Sequence, residues 1–475
     1  MTRQLDREVA IFVELAASSP SSENIQYLPV TSPYNAKTIG HVPLSSAADV
    51  AEAVAAAREA FPAWSGCTIK DRAGILIRFH ALMTKHADAL SDMVVLEHGK
   101  NKAEALASLS SGQDLIEYAM SLPDVSQTKI LEVSRGITCY DSRVPLGVVA
   151  SIVPFNFPVM VPLWTLTVAI VMGSTMVLKP SEKVPFTMTK VVELLKEAGL
   201  PDGVVNLVNG TSEAATALID HPDVKAVTFA GTSQIAEIIA QRYHRLNKHI
   251  LALGGAKNHT VSAPDCDIEM TSTDLVESYS GCAGESCMAP TVLLTIGHQQ
   301  DLIDKIVFKS EAIRPGSLDG QMGPVVDQVS LDNITRRINE AEVSGSKILV
   351  DGRRWTEERP EGYWVGPTVI LHTKKQDALL HEELFGPVLS ILEVETAEEA
   401  IAFENANPYG NGLRFNAGMC GINVGSPVPR DPFSFGGWNK SRFGNHCDII
   451  GDGGVEFFSM RKKVTTKWMP KENAS

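Results

Sequence analysis

From residue 145 onward, continuous apolar runs alternate with amphipathic stretches. "GVVASIVPF" (147–155) reads as a buried strand, and "VPLWTLTVAIVMG" (161–173) as a buried helix ended by Gly173. "TMVLKP" (175–180) is a short strand stopped by Pro180, and "PFTMTKVVELLKEAG" (185–199) has the three- and four-residue apolar spacing of a helix. Next come a strand "GVVNLVNG" (203–210), a helix "TSEAATALIDH" (211–221) and a strand "VKAVTFAG" (224–231). A helix "TSQIAEIIAQRYHRL" (232–246) and a strand "HILALGG" (249–255) complete the series. Five strands separated by four helices predict a parallel sheet wound with right-handed crossovers. Such a sheet takes its ligand beyond the carboxyl ends of its strands.

Residues 45 to 122 read as mostly helical, beginning with "SAADVAEAVAAAREAFPAW" and continuing with one or two helices in "IKDRAGILIRFHALMTKHADALSDMVVLEHGK". After Cys287 the strand–helix alternation returns, as in "LDNITRRINEAEVSGSKILVDG". The stretch Val144 to Leu178 carries no charge and is long enough to suggest a membrane span. Pro145, Pro154, Pro158, Pro162, Gly147 and Gly173 interrupt it. It reads instead as strand, loop, buried helix and strand, because strands covered on both faces are continuously apolar. No membrane partner is expected.

Composition narrows the class. The chain has 475 residues, 44% of them hydrophobic, which suits a globular protein of two or three domains. A net charge of −14 argues against a broad nucleic-acid footprint. The seven cysteines are scattered without a C-x-x-C, so neither a disulfide framework nor a metal site is expected. The start, "MTRQLDREVAIFVELAASSP", lacks a signal-peptide layout, and Asp6, Glu8 and Glu14 dilute any likeness to a mitochondrial presequence. The expected location is the cytoplasm, with a mitochondrial one left open.

Two strand ends carry candidate chemistry. "TMVLKPSE" sets Lys179, Ser181 and Glu182 just past a strand, where a lysine and a glutamate suit the hydroxyls of an adenosine ribose. "VTFAGTS" sets Gly231 and Thr232 between a strand and a helix start, where backbone amides suit a pyrophosphate. A simple helix cap at Thr232 and a solvated Glu182 are the competing readings. The stretch "SYSGCAGESCMAPTVLLTIG" (278–297) holds Cys282 and Cys287. Redox pairing and metal binding lack supporting residues. Packing stays open, above all for Cys282. A nucleophile reading favours Cys287, because glycines at 281 and 284 let the loop approach a substrate closely.

Motifs along the whole chain carry a resemblance: "PFNFPVMVPLW" (154–164), "LKPSEKVP" (178–185), "GLPDGVVNLVNG" (199–210), "HPDVKAVTFAGTSQIAE" (221–237), "LGGAKNH" (253–259), "GCAGESCMA" (281–289), "EELFGPVLS" (382–390), "NPYGNG" (407–412) and "FSFGGW" (433–438). The chain resembles the aldehyde dehydrogenase superfamily, specifically its methylmalonate-semialdehyde dehydrogenase branch. The resemblance implies an α/β fold with a Rossmann-type NAD-binding domain (1–122 and 143–253), a catalytic domain (254–455) and a small β oligomerisation element (123–142 and 456–475). It also implies a homodimer or homotetramer. Cys287 would attack the aldehyde, and Asn156 would donate to the oxyanion beside the Cys287 N–H. Phe155, Lys179, Ser181, Glu182, Gly231 and Thr232 fall at cofactor-binding positions, with Lys179 and Glu182 on the adenine-side ribose and Thr232 at the pyrophosphate. Glu383 and Phe385 would position the nicotinamide ribose and ring. Glu182 leans towards NAD over NADP, since a carboxylate repels a 2′-phosphate.

Departures from the family pattern sharpen the expectation. Hydrolytic members carry glutamate before "LGG"; here it is Ala252, which cannot act as a base. The semialdehyde branch also lacks that glutamate and passes its acyl group to coenzyme A, so CoA is the expected co-substrate. Arginines that the branch associates with a carboxylated substrate are replaced by Ser286 and Ser111, which points to an uncharged short aldehyde. Arg430 offers either a replacement charge or a solvated surface residue. Between Gly412 and Ala417 only "LRF" and Asn416 stand where the family has a strand and most of a helix. Such a gap would leave an unfilled slot with unpaired strand groups. A hydrolytic dehydrogenase and a catalytically weakened binding or structural member are the alternatives.

Overall fold

The computed structural model describes residues 26–125, 128–411, 417–444 and 447–468. The N-terminal stretch through residue 25 and the "LRF" segment of the expected gap lie outside the described residues.

An antiparallel ribbon, Tyr27–Thr31 with Thr38–Pro43, precedes the helical region. Helix Ala47–Gly66 starts at a capping box, in which the Ser46 N–H donates to Asp49 at 2.7 Å and the Asp49 N–H donates back to Ser46 Oγ. The following apolar pattern resolves into two helices, Ile69–Lys85 and Ala87–His98, the second ended by Gly99 at φ 94°. Helix Lys102–Val125 follows and contains Pro123 instead of stopping before it, so it continues past the boundary expected at 122. Strand Ile137–Pro145 likewise runs past 142.

The five strands read from the sequence form one sheet in the order His249–Leu253, Val224–Ala230, Val148–Ile152, Thr175–Lys179, Val205–Leu207, all parallel. Strand Arg442–Gly444 adds to it antiparallel, beside His249–Leu253. Helix Met160–Val171 is buried along its whole length from Val161. The charge-free stretch is therefore strand, loop, helix and strand, and no helix among the described residues is long and apolar enough to cross a membrane.

A second sheet runs Asn258–Ser262, Pro290–Ile296, Val388–Val394, Thr368–Leu371, Lys347–Val350, with only the last antiparallel. Asn258–Ser262 is an outer strand, and a groove of about 620 Å³ runs beside it, bordered by Val261, Ile401 and residues 421–425. A third, antiparallel sheet joins Lys129–Ser134, Ile137–Pro145 and Ser459–Lys467. It brings together the two distant segments that the resemblance assigned to one element.

Candidate active site

The first sheet changes winding direction at its middle strand. From Val148–Ile152 the chain builds outward to Thr175–Lys179 and Val205–Leu207, then returns to place Val224–Ala230 on the other side. A crevice opens beyond the carboxyl ends at such a switch point. Phe155 and Asn156 leave one of these strands, and Gly231 and Thr232 leave the other. Together with Cys287, Glu383 and Phe385 they line one cavity of about 190 Å³. Its remaining walls include Val161, Leu253 and the rings of Trp164 and Phe435, which stack 4.8 Å apart.

The Cys287 loop is held from several directions. Helix Ile268–Ser280 ends in a tight turn, Gly281–Gly284, where Cys282 (φ 53°) and Ala283 (φ 52°) adopt left-handed backbone. The Cys282 N–H donates to Glu104 Oε1 at 2.6 Å. Gly284 (φ 72°) lies against Gly386, where a Cβ would come within 2.2 Å of the carbonyl. This close approach locks the cysteine loop to the "EELFGP" segment. Beyond it, side-chain amides of Asn258 and Asn411 donate to the Cys287 carbonyl at 2.8 and 3.0 Å. Cys287 lines the cavity, whereas Cys282 does not. Burial, and then the Glu383 charge, push the Cys287 thiol up to about 12. Asn156, 4% exposed, lines the same cavity and is a candidate amide donor.

Glu383 accepts the Ala256 N–H at 2.9 Å and rests against Gly255, where a Cβ would meet its second oxygen. Burial pushes its carboxyl up to about 7, opposed by the Ala256 N–H and the Lys257 charge. Phe385 holds φ 57°, a left-handed value uncommon for a bulky residue, and meets Phe155 edge-on at 5.9 Å.

Lys179, Ser181 and Glu182 stand at the next strand end and do not line this cavity. Lys179 is buried; its amine donates to the Pro180 carbonyl at 3.1 Å and reaches Glu182 at 3.4 Å. Burial lowers its pKa, and Glu182 opposes the shift. Thr232 precedes helix Ser233–Arg245 without capping it through its side chain, so the first-turn amides lack that partner. With bare glycines at 231, 254 and 255, these donors fit a dinucleotide laid across the strand ends.

Ser286 accepts the Met288 N–H at 3.3 Å, while Ser111 and Arg430 are exposed. Among the described residues, no lysine or arginine lines the cavity. Ala252 is fully buried in its strand. Three side chains of the site were not singled out in the sequence: Asn258, Asn411 and Lys257. All lie inside motifs that were noticed ("LGGAKNH" and "NPYGNG"), but residue type alone gave them no role. Lys257 is buried, and burial pushes its amine down to about 7 against the Glu383 carboxylate.

Comparison with known proteins shows the family. The malonate-semialdehyde dehydrogenase 1 of Geobacillus thermodenitrificans is 36% identical over 460 residues, covering 92% of this chain and 95% of that one. The crystal structure of methylmalonate-semialdehyde dehydrogenase from Oceanimonas doudoroffii superposes with a TM-score of 0.92 at 37% identity, covering 95% and 97%. An NAD+ complex of an aldehyde dehydrogenase from Bacillus cereus is similar at 26% identity with a TM-score of 0.87, covering 93% of each chain. The aldehyde dehydrogenase family model matches residues 20–464, and the chain belongs to that family.

Proposed function

We propose that the protein oxidises a short aldehyde or semialdehyde to an acyl-CoA, with NAD as cofactor and CoA as co-substrate. The observation that carries this reading is the meeting of Cys287, Asn156 and Glu383 around one cavity at the sheet's switch point. Cys287 Sγ adds to the carbonyl carbon and gives a thiohemiacetal. The Asn156 side-chain amide and the Cys287 N–H stabilise the oxygen that becomes negative. A bound NAD would supply the hydride acceptor, which would leave Cys287 holding the acyl group as a thioester. Lys179 and Glu182 hold the adenine-side ribose, with Ser181 beside them. Gly231, Thr232 and the first-turn amides hold the pyrophosphate, and Glu383, Phe385 and Phe155 hold the nicotinamide end.

Release of the acyl group falls to CoA, because Ala252 offers no base for water and a thiol is the more acidic nucleophile. The absence of a cation among the described lining residues favours an uncharged aldehyde over a carboxylated one. Reduced nicotinamide formation, followed with and without CoA on propanal and malonate semialdehyde, tests both points. Turnover should require CoA, and kcat/KM should not favour the carboxylated substrate. Equal turnover without CoA would support the hydrolytic alternative, and a large preference for malonate semialdehyde would refute the uncharged-substrate assignment. No turnover with any aldehyde would support the binding or structural alternative.

The domain division is 1–122 with 143–253, 254–455, and 123–142 with 456–475, although helix Lys102–Val125 and strand Ile137–Pro145 cross two of these boundaries. The third sheet serves as the oligomerisation element of a homodimer or homotetramer, and the cytoplasm is the assigned location.

A further inference from the structure

Cys287 and Glu383 are the two ionisable side chains among the described residues lining the cavity. Their elements are coupled directly, since Gly284 of the cysteine loop lies against Gly386. Glu383 is held by one oxygen: Oε1 accepts the Ala256 N–H, and among the described residues Oε2 accepts no hydrogen bond. The bare Cα of Gly255 gives that second oxygen its space. The charged and titratable groups facing Glu383 are Cys287, Tyr409 and Lys257, with Arg337 and Glu382 behind the lysine.

A thiol in this setting needs a proton acceptor. Burial, and then the Glu383 charge, hold the Cys287 thiol protonated at neutral pH. A base works best with a pKa near the working pH. Burial brings the Glu383 carboxyl there, to about 7.

We infer that Glu383 is also the general base for the first chemical step, taking the proton from Cys287 Sγ as the sulfur attacks the carbonyl carbon. The inference deepens the function proposed above and rests on Cys287 being its nucleophile. The C–S bond forms and the carbonyl π pair moves onto oxygen. The thiol proton passes to a Glu383 carboxylate oxygen. No electrons leave the adduct until the later hydride step. This role is additional to holding the nicotinamide ribose.

The test runs on the full-length protein without dinucleotide, so ribose binding plays no part. Iodoacetamide alkylates Cys287, with C–S bond formation and iodide departure, and mass spectrometry of the Cys287 peptide separates it from the other cysteines. In the wild type the rate should rise with pH through about 7, as Glu383 loses its proton. In Glu383→Gln that rise should vanish, with the rate at pH 8 about 10²-fold lower. Glu383→Asp should retain the rise at a reduced rate. If Glu383 acted only through its charge, removing that charge would lower the thiol pKa and make alkylation faster. An unchanged or faster rate in Glu383→Gln overturns the inference. Should that variant not fold, a wild-type rate that rises only far above pH 7 overturns it. Loss of reduced nicotinamide formation in Cys287→Ala bears on the function instead, so the two failures are separable.

Discussion

Asn156 shows how much of the site depends on single side chains. It is 4% exposed, follows strand Val148–Ile152 across the switch point, and lines the cavity with Cys287. A preorganised donor of this kind is worth about 3–4 kcal/mol to a developing oxyanion. Asn156→Ala should therefore lower kcat by about 10²–10³-fold with little change in Tm. Steady-state kinetics beside a thermal melt check this, and an unchanged kcat would remove Asn156 from the oxyanion role. At this scale the sequence was informative wherever a rare chemical group sat in a recognisable motif, as with Cys287, Asn156 and Glu383. It was silent on Asn258 and Asn411, because an amide that holds a carbonyl 29 or 124 positions away leaves no local pattern.

Among the elements, the turn Gly281–Gly284 matters most. Its left-handed residues aim the chain back towards the second sheet, and Gly284 touches backbone instead of a flexible side chain. Gly284→Ala should cost about 1–3 kcal/mol in backbone strain, in addition to the steric clash with Gly386. A lowered Tm with slowed aldehyde turnover is expected; a variant as stable and active as the wild type would contradict the coupling of the two loops. The parallel strands were legible because both faces are buried, which writes them as continuous apolar runs. Strand Arg442–Gly444 was not legible. Three residues carry no periodicity, and its pairing with Leu251–Leu253 is a tertiary event. The helix's continuation through Pro123 was missed for a similar reason: packing overrides local signals at element ends.

In the whole molecule, the outer strand of the third sheet exposes an apolar row, Leu131 (57% exposed) and Val133 (56%), with Ile130 (67%) on its opposite face. An outer strand with such a row is a template for pairing with another copy. Ile130→Lys should shift the mass measured by light scattering from an oligomer to a single chain. A wild-type protein that is already monomeric, or a variant that stays oligomeric, would contradict that assignment. The two segments of this sheet lie more than 300 residues apart, as in the Ile137–Lys467 pair. Only the family resemblance linked them, since nothing in either strand names its partner. A groove runs beside Asn258–Ser262, and the short segment after Gly412 lies outside the described residues.

The central claim is a covalent acyl group on one sulfur, and it can be weighed directly. The protein is mixed with NAD and propanal without CoA, quenched, digested and analysed by mass spectrometry. The Cys287 peptide should gain the mass of a propanoyl group, matched mole for mole by reduced nicotinamide, and should lose it when CoA is added. Reduced nicotinamide forming while Cys287 stays unmodified, or a propanoyl group found on Cys282 instead, would contradict the account.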